Sequence, residues 1–351
     1  MKVIIPLAGF GTRLRPHTYT KPKPLVHVAG KPVLGHILDK LEGLDVEEIC
    51  FVVGYLGEQI EEYVGRNYRF PARYLVQEEL LGQAHAVQLA RPYVEGPVLI
   101  IFVDTIFEAD LEPLTRIESD GVVFVQEVED PRRFGVVTLE DGLIRQFVEK
   151  PRTFVSNLAV IGVYYLKDAS SLFDAIQELM DRGQKTKGEY FLADALQILV
   201  DRGARLNAWP VEVWEDCGTA DAILQTNRYL LRQRVADGPA TPQKVLIPPV
   251  YVGPGAVIEN SVVGPYVHVG ANCHITEARV GPYVSLADGS QVRRSIVEDS
   301  IINEQAVIDE AMLTRSLIGK GARVRGGFER LNVGDSSEID SSPEAQNAHA
   351  R

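Results

Sequence analysis

The feature that most narrows what this chain can fold into is the spacing of aliphatic residues in its last third. Beyond Pro248-Pro249, Val252, Ile258, Val263, Val269, Ile275, Val280, Leu286, Val292, Ile296, Ile302 and Ile308 recur every four to six residues. Val263-Gly264-Pro265-Tyr266-Val267 returns as Val280-Gly281-Pro282-Tyr283-Val284. Neither a helix, with its period of 3.6, nor a half-buried strand, with its period of 2, has that spacing. It is the spacing of stacked coils whose short strands each point an aliphatic side chain inward. A parallel β-helix over residues 250–334 is therefore expected, with those aliphatic positions stacked inside.

The first two thirds obey another rule. Apolar runs at Val3-Ile4-Ile5, at residues 49–53, 74–76 and 97–103 have the length of buried strands. Between the first two, Val33, Leu34, Ile37, Leu38, Leu41 and Leu44 recur at helical spacing, and a short helix is expected at 58–64. Further on come a strand at 121–128, two arms flanking the hairpin signal Asp141-Gly142, helices at 189–200 and 222–235, and a strand at 206–213. Alternating strands and helices predict an α/β Rossmann-like domain, a mixed and mostly parallel sheet between helices, binding ligands outside the carboxyl ends of its strands. At 351 residues the chain exceeds one ordinary core. The expected division is a catalytic domain at 1–236, a Pro- and Gly-containing linker at 237–249, the β-helix, and a polar flexible tail at 335–351.

Composition closes off several function classes. Forty-eight acidic against 36 basic residues leave a net charge of -12, which implies no extended basic surface and argues against nucleic acid as a partner. No apolar run is long enough to span a membrane, and the N-terminus lacks the layout of a signal peptide. Cys50, Cys217 and Cys273 are too few and too scattered for a disulfide framework or a cysteine zinc site, which fits a reducing cytoplasm.

Against that acidic background residues 2–31 hold six Lys or Arg and no Asp or Glu. They include Leu7-Ala8-Gly9-Phe10-Gly11-Thr12-Arg13, directly after the first strand, and Pro22-Lys23-Pro24. Close-approaching backbone amides with nearby Arg and Lys are what a polyphosphate needs. The same residues suit a strand-ending turn beside a solvated basic face. Asp104 ends the run at 97–103, where a carboxylate can face phosphates and hold Mg²⁺ or serve as a turn residue. Gly82, Ala84 and Ala86 leave one edge of a helix bare enough for a flat base. Glu149 can accept hydrogen bonds from sugar hydroxyls while Lys150 meets a sugar phosphate, or the two form a solvated ion pair.

Taken together, Leu7-Ala8-Gly9-Phe10-Gly11-Thr12-Arg13-Leu14, Pro22-Lys23-Pro24-Leu25 and Lys31-Pro32-Val33-Leu34 resemble the signature of sugar-1-phosphate nucleotidylyltransferases. The likeness extends along nearly the whole chain and is nearest to long-form glucose-1-phosphate thymidylyltransferases, whose C-terminal hexapeptide β-helix winds left-handed. It implies that Leu7, Ala8, Gly9, Gly11, Thr12 and Arg13 bind the nucleotide, and that Gln77 and Gly82, five residues apart, hydrogen-bond the base. It implies that Gly135, Glu149, Lys150, Val160 and Lys187 bind the sugar phosphate. Lys187 stands where the family usually has arginine, and so lacks the bidentate fork. Asp104 and Asp216 would be the Mg²⁺ ligands, the latter in Trp214-Glu215-Asp216-Cys217-Gly218-Thr219. The supporting shell of Asp104 differs, because Val103-Asp104-Thr105 replaces the usual Gly-Asp-Asn.

The implied reaction is attack by a sugar 1-phosphate, best matched by glucose 1-phosphate, on the α-phosphorus of an NTP, best matched by dTTP. Arg13 and Lys23 would stabilise charge, and Asp104 would act through the metal. Use of UTP or GTP, an acyltransferase on the β-helix with His268 or His274 as base, and a non-catalytic nucleotide-sugar sensor are the rival readings. Faces and coil ends of β-helices commonly associate, so a homo-oligomer is expected.

Overall fold

The computed structural model describes residues 1–233, 245–327 and 330–341. The chain divides into two compact units, one of residues 1–10 and 37–214, the other of residues 11–36 and 215–351. Six α-helices are found among the described residues: α1 (Val33–Asp39), α2 (Gly57–Asn67), α3 (Gln83–Gln88), α4 (Ala169–Asp181), α5 (Leu192–Asp201) and α6 (Ala220–Gln233). None is long and apolar enough to cross a membrane. Cys50, Cys217 and Cys273 are all buried.

The first unit is built on a nine-stranded sheet. Its strands are β1 (Lys2–Pro6), β2 (Glu48–Val53), β3 (Ala72–Val76), β4 (Val98–Ile101), β5 (Gly121–Glu127), β6 (Gly135–Glu140), β7 (Leu143–Glu149), β8 (Leu158–Leu166) and β9 (Leu206–Pro210), in the order β3-β2-β1-β4-β8-β5-β9-β7-β6. The first four of that order are parallel. β8 then enters antiparallel between β4 and β5, and β6–β7 is an antiparallel hairpin. Val3, Ile4, Ile5, Leu99, Ile100 and Ile101 are fully buried, which is why these strands read as unbroken apolar runs. Each such side chain contributes about 1.5–3 kcal/mol by leaving water. Asp168 caps α4 by accepting from the amides of Ser170 and Ser171, both at 3.1 Å. The helix expected from 189 begins at Leu192, because Thr186 and Glu189 exchange backbone hydrogen bonds in a turn and the amide of Tyr190 donates to Leu81 O.

In the second unit the β-helix is present as three columns of parallel strands. Val250, Val267 and Val284 stack at 17-residue steps, and Ser285, Ile301 and Leu317 at 16. The coil extends past both expected ends. Val245–Leu246 pairs with Val262–Val263, and Glu338–Asp340 pairs with Arg323–Arg325, so the polar stretch expected to be a tail begins as a coil strand. Residues 342–351, and the linker core 237–242, lie outside the described residues. One inward assignment is corrected. Ile296 is 38% exposed while Val297 is fully buried, since Arg279 pairs with Ile296 and Val280 with Val297. A one-residue shift in a strand exchanges its faces.

One outward row of the coil is buried. His268, Ser285, Ile301 and Leu317 are each under 9% exposed. Residues 11–36 and α6 lie on this face. The ring of His268 occupies the space a Cβ on Gly30 would fill, His17 Nε2 is 2.6 Å from Asn332 Oδ1, and Asn227 Oδ1 accepts from Ser285 Oγ at 2.6 Å. Up to α1, which begins at Val33, the segment carries four prolines and only three short 3₁₀ turns and a two-residue hairpin. With so few backbone hydrogen bonds of its own, it takes its shape from the surface beneath.

Candidate active site

Each unit carries its own share of the predicted residues. At the carboxyl end of β1, Leu7 and Ala8 are buried, and Leu7 N donates to Val52 O at 2.7 Å. Gly9 is exposed, and a Cβ there would meet nothing within 4 Å, so its backbone is open to a ligand. Phe10 and Tyr55, about half exposed, lean together with ring centroids 6.1 Å apart at the ends of β1 and β2.

Gln77 follows β3 and is buried, with Nε2 donating to Gly82 O at 3.3 Å and standing 3.0 Å from His85 Nδ1. Gly82 has φ 118° and ψ −178°, a region essentially reserved for glycine. A Cβ there would also fall 2.6 Å from the backbone N and O of Tyr190. The pair Gln77–Gly82 is thus real and tightly built. The bare helix edge is not: Ala84 and Ala86 are buried in the core of the first unit, and their small size serves packing.

The sugar-phosphate residues assemble on the β6–β7 hairpin and its neighbours. Gly135 and Glu149 are directly paired, and Glu149 Oε1 is 3.2 Å from Lys150 Nζ. Burial raises the Glu149 pKa, while Lys150 and Lys187 pull it back. Lys187 is thereby brought into the same group from a separate turn. Lys150 adopts φ 46°, its amide donates to Phe134 O at 3.0 Å, and its ammonium lies 5.2 Å from the Phe191 ring centre. Val160 sits in β8 opposite Val125, just before a bulge that runs to Tyr164. Tyr164 is buried, which raises its pKa, and the charges of Glu149 and Asp104 push it the same way. Asp104 and Glu149 therefore share the electrostatic neighbourhood of Tyr164. It falls between the end of β4 at Ile101 and a strand starting at Thr105.

Sequence reasoning passed over Trp214 in this group. Its ring packs edge-on to Phe134 at 4.8 Å, and its indole Nε1–H is buried with no hydrogen-bond partner. Buried donors are almost always paired, so this one is suited to a ligand oxygen. A tryptophan two residues before Asp216 was the available signal.

The second unit supplies Gly11, Thr12, Arg13, Lys23 and Asp216. Asp216 Oδ1 accepts from Gly218 N at 2.7 Å, which fixes the carboxylate. A methyl group on Gly218 would stand 2.8 Å from that oxygen and 3.5 Å from Arg13 Nη2, so guanidinium and carboxylate border one spot. Thr18 Oγ1 donates to Gly11 O at 2.8 Å, and a methyl group on Gly11 would lie 2.9 Å from Lys23 Cβ. The glycine loop and the Pro-Lys-Pro turn are packed together. Of the two histidines considered as an acyl-transfer base, His268 is buried and stacked on Tyr251 at 4.7 Å, while His274 is exposed. Among the described residues no three His, Cys, Asp or Glu side chains form a ready metal cage.

Residues 2–233 match the model of the nucleotidyl transferase family. The chain belongs to that family. This nucleotidyl transferase is 31% identical to a glucose-1-phosphate thymidylyltransferase of Streptomyces antibioticus, over 97% of this chain and 99% of the relative. It is 33% identical to one of Streptomyces griseus, over 96% and 98%. Both matches run through the β-helix. It is also 37% identical to the bifunctional protein GlmU of Methanocaldococcus jannaschii, over 66% of this chain and 54% of the relative, so it spans about half the length of such relatives. Among solved structures, a UDP-glucose pyrophosphorylase complexed with UDP-glucose aligns with a TM-score of 0.59 and 25% identity, over 66% of this chain and 99% of that one.

Proposed function

We propose that this nucleotidyl transferase moves a thymidylyl group from dTTP to glucose 1-phosphate, releasing pyrophosphate and dTDP-glucose. The observation that carries this reading is the likeness, along both units, to two glucose-1-phosphate thymidylyltransferases. The anchored Gln77–Gly82 pair and the Glu149, Lys150 and Lys187 group support it from the structure.

A phosphate oxygen of the sugar attacks the α-phosphorus in line, and the bond from that phosphorus to the bridging oxygen breaks. Pyrophosphate leaves with the electron pair. The nucleophile is already an anion, so no general base is needed, and the protein contributes position and positive charge. Arg13 neutralises charge at the α-phosphate, and Lys23 holds the phosphate of the incoming sugar. Glu149 accepts from sugar hydroxyls, while Lys150 and Lys187 meet the sugar phosphate. Asp104 and Asp216 would hold Mg²⁺, a hard ion that when bound neutralises phosphate oxygens.

Uracil presents the same hydrogen-bonding edge as thymine, and a UDP-glucose pyrophosphorylase shares the fold of the first two thirds. UTP is therefore the second reading. Pyrophosphate release should be measured for dTTP, UTP and GTP against several sugar 1-phosphates. The expected result is fastest release with dTTP and glucose 1-phosphate. A clear preference for UTP overturns the choice of base, and no release from any pair overturns the transferase reading.

A further inference from the structure

One carboxylate of the β-helix ties down the entry to the turn that carries Lys23. Glu304 stands at the corner between the strands Ile301–Ile302 and Val307–Thr314. Its carbonyl accepts from Gly321 N of the next coil at 2.8 Å, which locks that corner in place. Lys21 Nζ donates to both carboxylate oxygens at 3.0 Å, and His27 Nε2 lies 3.6 Å from Oε1. The side chains of Lys21, Glu304 and His27 are only 15%, 23% and 20% exposed.

Between Lys21 and His27 runs the turn itself. Leu25 N donates to Pro22 O at 2.9 Å and Val26 N to Lys23 O at 3.1 Å, the few backbone bonds that a stretch with two prolines allows. On its other side the turn abuts Gly11 of the glycine loop. A long ammonium side chain rooted in so irregular a backbone keeps its aim only where the backbone beside it is tied down.

We propose that Glu304 is a positioning residue for nucleotidyl transfer, anchoring the 21–27 segment through Lys21 so that the Lys23 ammonium is aimed at phosphate. This rests on the reading of Lys23 given above. It makes the β-helix a working part of the active site. Charge-assisted bonds of this kind are directional, and loss of the acid would leave Lys21 largely buried without its anion. Displacement of a catalytic group by an ångström can cost about 100-fold in rate.

The test is a double-mutant cycle on the full chain, read as pyrophosphate release from dTTP and glucose 1-phosphate, with the melting temperature of each variant recorded. Glu304→Gln should lower kcat about tenfold or more, and Glu304→Asp, which keeps the charge, should recover part of that loss. In a Lys23→Ala background Glu304→Gln should change kcat by less than about twofold, because the lysine it aims is gone. Lys21→Gln supplies the same cycle if Glu304→Gln melts early. Turnover within about twofold of wild type for Glu304→Gln, or losses that add fully to those of Lys23→Ala, would overturn the anchor. If Lys23→Ala itself turns over normally, the role given to Lys23 fails, and the anchor fails with it. If Lys23→Ala is crippled and Glu304→Gln is not, the anchor alone is wrong.

Discussion

Gly135 and Glu149 face each other across the β6–β7 hairpin so closely that a methyl group on Gly135 would stand 2.8 Å from Glu149 Oε2. The backbone of one residue defines the room available to the carboxylate of the other. Gly135→Ala should displace the carboxylate without straining the strand. The expected outcome is a roughly tenfold higher KM for the sugar 1-phosphate, with less than about 1 kcal/mol lost in stability. Initial-rate kinetics beside a denaturant titration checks it, and an unchanged KM would remove Glu149 from sugar binding.

Gly82→Ala should behave in the opposite way. Its φ of 118° and the backbone of Tyr190 at 2.6 Å leave no place for a methyl group, and backbone cannot swing aside as a side chain can. A stability loss on the order of 1–3 kcal/mol is expected, a fall of several degrees in melting temperature. KM for the nucleotide should rise with it, because the shifted backbone moves the carbonyl that Gln77 Nε2 donates to.

Arg13→Ala should lower kcat by at least ~100-fold, the scale of removing one main charge donor from a transition state. Near-normal turnover would take Arg13 out of the mechanism. Asp216→Asn should demand far more added Mg²⁺ for half-maximal rate, and chelation of the wild-type protein should abolish pyrophosphate release until Mg²⁺ is restored.

Acid should weaken the second unit in two stages. Burial and the charge of Lys21 push His27 from 6.5 to about 4, against the pull of Glu304. Below pH 6.5 the unfolded chain therefore takes up a proton that the folded chain refuses, and stability falls as pH drops towards 4. Burial opposes the charge on Glu304, but His27 and Lys21 outweigh it and hold the carboxyl near 2, below its ordinary 4.5. Its contribution is complete above about 4.5 and is lost as pH falls through 2. Each stage is on the order of 2–3 kcal/mol. Urea midpoints at pH 7, 5.5 and 4 should decline, and His27→Gln should flatten that decline.

Much of this was legible in the residues. The period of Val263, Val269, Ile275 and Val280 announced the coil, because an inward aliphatic side chain recurs once per short strand. It misplaced Ile296, since two adjacent isoleucine and valine residues leave the face of a strand undecided. Gln77, Gly82, Glu149 and Lys150 could be named from motifs. Trp214 stood in the motif ahead of Asp216, but its open donor did not, because an unpaired indole N–H is visible only once its neighbours are known.

The sequence by itself determined which backbone periods the chain must satisfy and where its cations gather against an acidic background. Covalent order and hydrophobic spacing suffice for that, since both act locally. Only the tertiary structure decided that residues 11–36 belong with the coil and not with the sheet they follow, and that Glu304 holds Lys21, two residues before Lys23. Those contacts join residues some 280 positions apart, as from Lys21 to Glu304, and no local pattern encodes a partner at that distance. They exist because an outward row of the coil carries Ile301 and Leu317, which water disfavours, and a proline-rich segment with little structure of its own takes its shape on that row.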